Sequence, residues 1–147
     1  MTQPSVRPLA ICVFRHGDCI LVSDEYDHVK GERFFRPLGG GVRFGEHSSE
    51  AVVREICEEI GAGVEDLVLL GALENIFTCN GEPGHEVVLV YDGRLSDGTM
   101  YQRTCVEGFE EGGIPIKALW KPLSDFRDGA PPLYPEGLLE LLEREAG

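Results

Sequence analysis

The chain has 147 residues, 42% of them hydrophobic, with 13 Lys and Arg against 26 Asp and Glu, a formal charge of −13. That length suits a single globular domain over residues 1–147 with a buried core. So acidic a chain repels a phosphate backbone and shows no basic stripe, so a nucleic-acid polymer is not an expected partner. No apolar run reaches the roughly 18 residues of a membrane span, and Met1–Pro8 carries no apolar signal core. Five cysteines without a CxxC spacing read as reduced, mostly buried thiols, which points to a cytoplasmic location.

In chain order, Leu9–Phe14 and Cys19–Ser23 read as strands joined by the turn Arg15-His16-Gly17-Asp18. Asp24–Glu32 reads as a polar loop. Arg33–Leu38 is a short, aromatic-rich strand that feeds the run Leu38-Gly39-Gly40-Gly41. Ser48–Ile60 has no internal Gly or Pro and reads as a helix, with Ser48 or Ser49 to cap it and Gly61 at the left-handed terminal position. At about 100° per residue, Val53, Ile56, Cys57 and Ile60 share an apolar face, and Glu55, Glu58 and Glu59 the opposite one. Leu67–Thr78 alternates as a strand, Asn80–Gly84 is a turn, and Glu86–Tyr91 is a buried strand. Leu95–Gly113 is glycine-rich, acidic and without a clear period. Ile116–Trp120 is a final strand, Pro122–Phe126 a helical turn, and Pro135–Glu145 a helix with Leu138, Leu139, Leu141 and Leu142 inward. Strands with a helix between them and another at the end predict an α/β chain, an α/β/α sandwich around a mixed sheet.

The three glutamates on one helix face carry chemistry. Residues at i, i+3 and i+4 lie about 5–6 Å apart, and like charges there repel by roughly 3 kcal/mol at an effective dielectric of 20. A structural helix gains nothing from that arrangement, whereas a divalent cation reverses its sign. Oxygen ligands without Cys or His suit Mg²⁺ or Mn²⁺. The glycine run ahead of the helix lets backbone approach a ligand without interference from Cβ.

Written with its spacings, the window is Gly40, five residues, Glu46, seven residues, Arg54-Glu55-Ile56, one residue, Glu58-Glu59, one residue, Gly61-Ala62. Gly40–Ala62 resembles the complete Nudix box, G-x5-E-x7-R-E-U-x-E-E-x-G-U, with Ala62 where a larger aliphatic is usual. The resemblance implies hydrolysis of a nucleoside diphosphate linked to another moiety, with Mg²⁺ or Mn²⁺ as cofactor. It implies Glu58 and Glu59 as metal ligands, Glu55 as ligand or as the base that activates water, and Arg54 as the residue that orients a carboxylate. Glu46 is implied as a further metal or helix-orienting carboxylate, and the Gly40 carbonyl as an extra ligand. A separate downstream Glu takes part in some members; Glu107, Glu110 and Glu111 are the candidates here. Nudix folds are often dimers, so a homodimer is a possible assembly.

For substrate binding, Arg36 is the candidate phosphate contact, with a surface ion pair as its alternative, and Gly39 and Gly40 the candidate backbone contacts. Phe35, Phe44 and Phe77 are candidates to stack on a base, with core packing as the alternative for each. His85, Glu86 and Tyr134 lie near the pocket rim by analogy. The proline and tyrosine that mark ADP-ribose and diadenosine polyphosphate members are absent from the stretch beyond the box, where Phe77-Thr78-Cys79-Asn80 stands. A small-molecule nucleotide remains the expected substrate, either a nucleoside triphosphate or a nucleotide-sugar-like compound.

Overall fold

A computed structural model describes residues 4–129 and 131–146. Residues 1–3 of the polar amino-terminal stretch therefore lie outside the described set. Among the described residues eight strands and two α-helices follow in two runs of four strands and a helix: β1 Arg7–His16, β2 Cys19–Asp27, β3 Glu32–Arg36, β4 Leu38–Gly41, α1 Ser48–Ile60, β5 Val64–Cys79, β6 Glu82–Leu95, β7 Cys105–Phe109, β8 Pro115–Pro122 and α2 Leu138–Ala146.

β1 organises the molecule because it is apolar on both faces. Ala10, Cys12 and Phe14 point to one side, where Val52 and Ile56 of α1 cover them. Leu9, Ile11 and Val13 point to the other, where Leu138, Leu141 and Leu142 of α2 cover them. A strand buried on both faces reads as a continuous apolar run, which is what Leu9–Phe14 is. β1 pairs parallel with β6 over Arg7–Phe14 and antiparallel with β4 over Leu9–Cys12; its end turns into β2. The strand order is β5-β6-β1-β2-β8-β7, with β3 on β2 and β4 on β1. The fold is thus the expected α/β/α sandwich around a mixed sheet.

Several local expectations are corrected. The polar stretch after Ser23 is not a loop: β2 runs to Asp27 and pairs with β3 from Asp27↔Glu32 to Ser23↔Arg36. Polar residues suit these strands because much of this ladder faces solvent. The turn after β5 is only Asn80-Gly81, both at positive φ, and β6 begins at Glu82. The unassigned stretch after Leu95 holds a 3₁₀ turn, Gly98–Gln102, and β7. The expected turn beyond Pro122 is a 3₁₀ turn, Leu123–Phe126, and the carboxy-terminal helix starts at Leu138, not Pro135.

Candidate active site

β4 delivers the glycine run alongside α1. α1 is capped at His47, not at a serine: the Glu50 carboxylate accepts from the His47 N–H at 3.0 Å. Gly61 closes the helix at φ 66°, as expected. The faces differ from the expectation. Ala51, Val52, Ile56 and Glu59 are buried, while Val53 and Cys57 are exposed. Cys57 is therefore not a core thiol; Cys12 is, and burial pushes its thiol well above the usual range. The pattern read from apolar residues alone was rotated, because β4 covers the turn that carries Glu59. Its carboxylate accepts from the Gly39 N–H at 3.1 Å.

Arg54 is the hub. Its Nε and Nη2 donate to the two oxygens of Glu46 at 2.8 and 3.0 Å, a forked pair. Its Nη1 donates to Glu55 at 2.8 Å and Glu58 at 3.3 Å, and Nη2 also donates to the Gly41 carbonyl at 2.9 Å. One guanidinium thereby fixes three carboxylates and the end of β4. The Arg54 fork, with the Arg43 N–H, holds the Glu46 carboxyl at about 2. Glu46 is thus turned onto Arg54 with both oxygens engaged, the geometry of a helix-orienting carboxylate. Gly40 backs onto Glu55 so closely that any Cβ would fall within that carboxylate.

Glu59 is the outlier in electrostatics. Burial and the neighbouring Glu55 charge push its carboxyl up to about 8, against the opposing pull of Arg36 and the Gly39 N–H. A cation relieves that repulsion. The donors fit a hard divalent ion in kind, all being carboxylate oxygens. Among the described residues no three such side chains converge as a formed cage. Glu55 and Glu58 are held by Arg54, and Glu59 by Gly39.

Beside this face opens a cavity of about 660 Å³ between β3, the β5/β6 pair and the segment leading into α2. Arg36 lines it, is exposed, and forms no ion pair among the described residues. Arg36 also lowers the carboxyl values of both Glu59 and Glu110, which places it between the cavity and α1. Glu110 lines the cavity too, its carboxyl raised by burial and by Glu25. Glu107 and Glu111 are exposed and line nothing.

The expected stacking residue Phe35 is not in the cavity. It is 1% exposed, packed edge-on to Phe126, with Arg33 and Lys121 over its ring. Alternation along β3 puts Phe34 and Arg36 on the cavity side instead. Phe44 is fully exposed, whereas Phe77 and Tyr134 line the cavity. His85 is absent from the lining; Glu86 and its cross-strand partner Asn75 are in it, both buried. Asn75 was not singled out in the sequence, nor was Arg7, whose guanidinium lies over Gly41.

The chain matches the family profile described as NUDIX domain over residues 4–137. It belongs to the NUDIX family. The Nudix fold is seen again in solved structures similar to this one. A NUDIX hydrolase from Nitrosomonas europaea gives a TM-score of 0.66 at 17% identity, covering 98% of this chain and 89% of that one. A MutT NUDIX hydrolase from Burkholderia pseudomallei gives 0.63 at 24% identity, covering 93% and 96%. An ADP-ribose pyrophosphatase from Streptococcus suis gives 0.61 at 20%, covering 96% and 92%. At these identities the likeness is one of fold. In this Nudix chain the box is intact, and Arg36, which lines the cavity, acts on the buried Glu59 of α1.

Proposed function

We propose that this Nudix protein hydrolyses a pyrophosphate bond in a nucleoside diphosphate derivative, with Mg²⁺ or Mn²⁺ as cofactor. The observation that carries the reading is the Arg54 hub, which holds Glu58 and sets Glu55 beside Gly40, on the helix that carries buried Glu59. Glu55, Glu58 and Glu59 would hold the cation, with the Gly40 carbonyl as a further oxygen donor. When bound, such an ion neutralises phosphate oxygens and lowers the pKa of a bound water.

The protein's own groups do the rest. Arg54 keeps Glu55 and Glu58 in register; Glu55 serves as ligand or as the base that takes the water's proton. Arg36 and Arg7 supply positive charge for the phosphates, and the Gly39-Gly40 backbone lets them come close. The cavity takes the nucleoside, with Phe34 and Phe77 to stack on its base. A nucleoside triphosphate or a nucleotide-sugar-like compound suits that division. The same reading makes the protein a cytoplasmic single domain, as a monomer or a homodimer, with small molecules rather than nucleic acid or membrane as partners. Among the described residues no helix is long and apolar enough to cross a membrane.

The test is a hydrolysis screen with Mg²⁺, with Mn²⁺ and with chelator. Canonical and oxidised nucleoside triphosphates, ADP-ribose, nucleotide sugars and dinucleoside polyphosphates form the panel. Metal-dependent release of a nucleoside monophosphate or diphosphate is expected. Tight nucleotide binding without turnover of any compound would replace the enzyme with a binding module.

A further inference from the structure

We infer that the cavity reads a guanine base, through the buried pair Asn75 and Glu86. This rests on the nucleotide reading above and deepens it.

The two residues face each other across β5 and β6 and are 6% and 7% exposed. Among the described residues the only hydrogen bond to the Glu86 side chain comes from Asn75 Nδ2, at a long 3.4 Å. No cation pairs with it there. A nearly buried glutamate with one carboxylate oxygen unpaired and open to the cavity in front of it matches a ligand that brings N–H donors. Asn75 is oriented from behind: the Glu136 N–H donates to its Oδ1 at 3.4 Å. The amide therefore turns its NH₂ end toward Glu86. The wall offers one N–H donor beside two carboxylate acceptors.

Only one common base has the complementary edge. Guanine shows a carbonyl acceptor, a ring N–H and an amino group in that order, so its two adjacent donors meet the carboxylate and its carbonyl meets the amide. Cytosine repeats the wall's own order and sets acceptor against acceptor. Adenine lacks the adjacent donor pair, and uracil has a single donor between two acceptors. Hypoxanthine keeps the ring N–H but lacks the amino group. A base out of its stack is read in this way, by hydrogen bonds to its pairing edge and by aromatic faces.

Those faces are present. Phe77 lies flat across Gly84, where any Cβ would fall within its ring, and Phe34 lines the same cavity. Charge sets the polarity of binding. Seven carboxylates line the cavity against one lysine and one arginine, so phosphates are repelled from its depth and kept on the Arg36 side.

The test has two arms. In the first, wild type and Glu86→Gln are assayed on the 5′-triphosphates of guanosine, inosine, adenosine, cytidine and uridine. In the second, guanosine and inosine 5′-monophosphates are titrated calorimetrically without divalent metal. Wild type is expected to favour guanine over hypoxanthine by at least about 10-fold in kcat/KM and in affinity, because without the amino group one Glu86 oxygen, closed off from water by the base, has no donor. Glu86→Gln is expected to bring that ratio close to one. Parity in wild type, a preference for another base, or a ratio unchanged in Glu86→Gln overturns the inference. If no triphosphate is cleaved, the wider panel above decides the hydrolase reading and the titration alone decides the base; equal or absent binding of the two monophosphates then overturns this inference. If Glu86→Gln does not fold, the wild-type panel decides.

Discussion

The acid face of α1 and the cavity beside it use the same residue types and differ in how those residues are held. On α1, Arg54 grips Glu46, Glu55 and Glu58, and Gly39 grips Glu59; each carboxylate has a defined partner. In the cavity, carboxylates outnumber cations, and Glu86 has one long bond to an amide. The first arrangement is preorganised by the protein for one task, as catalysis by charge placement requires. The second leaves bonding capacity for a ligand to fill. Under the proposed function the difference separates reaction from selection, and substitutions in the two regions should separate in the same way.

The largest effect should come from the acid face. Glu58→Gln keeps the volume and removes one proposed ligand, so turnover should fall by about three orders of magnitude or more while the unfolding temperature holds or rises. Steady-state kinetics beside a thermal melt checks both halves; near-normal turnover removes Glu58 from the site. Gly40→Ala comes next. Its methyl group falls within the Glu55 carboxylate, so that side chain must leave Arg54. A loss of about 100-fold, in kcat rather than KM, is expected from a displacement on the order of 1 Å. A variant affected only in KM would shift Gly40 from the reacting centre to substrate binding.

The cavity should answer in the other parameter. Phe77→Ala removes an aromatic face, and base stacking is worth about 1–3 kcal/mol. KM should rise roughly 10-fold with kcat nearly constant, because the contact is made equally in ground and transition states. Loss of kcat instead would mean that the two regions are not separable.

The same contrast explains what could be read from the sequence. Gly40 to Ala62 is contiguous, so the acid helix and the glycine approach were legible from spacing, and the orienting role of Arg54 from the family resemblance of that window. Even there the burial of Glu59 was not, since it depends on β4 lying over the last turns of α1. The cavity is assembled from β3, β5, β6 and the segment before α2, far apart in the chain. Phe34 rather than Phe35 faces the cavity because the side of β3 that faces the core is set by pairing with β2 and the Phe35↔Leu133 bridge. Asn75 was hidden more deeply. β5 shifts register between Glu65 and Val68 and again between Leu69 and Gly71, so alternation counted from Leu67 does not carry through to residue 75.

An effect confined to the metal-free protein tests whether the acid face is complete without a cation. In the metal-free protein the Glu59 carboxyl stands at about 8, above its ordinary value of 4.5, because of burial and Glu55. The folded state therefore holds this proton more tightly than the unfolded chain does. Its contribution to stability is full below pH 4.5 and is lost as pH rises through 8, a change on the order of a few kcal/mol. Glu59→Gln has no such proton to lose. In chelator, wild type should melt at a similar temperature to the variant near pH 5 and several degrees below it at pH 9. Added Mg²⁺ should close that gap in wild type alone, because a bound cation takes the place of the proton. The affinity for Mg²⁺ should accordingly rise with pH up to about 8 and then level off. A pH-independent gap in chelator would show that Glu59 is already ionised and satisfied by Gly39 and Arg36. The helix would then hold its charges without metal, and α1 would resemble a finished structural face rather than one awaiting its ion.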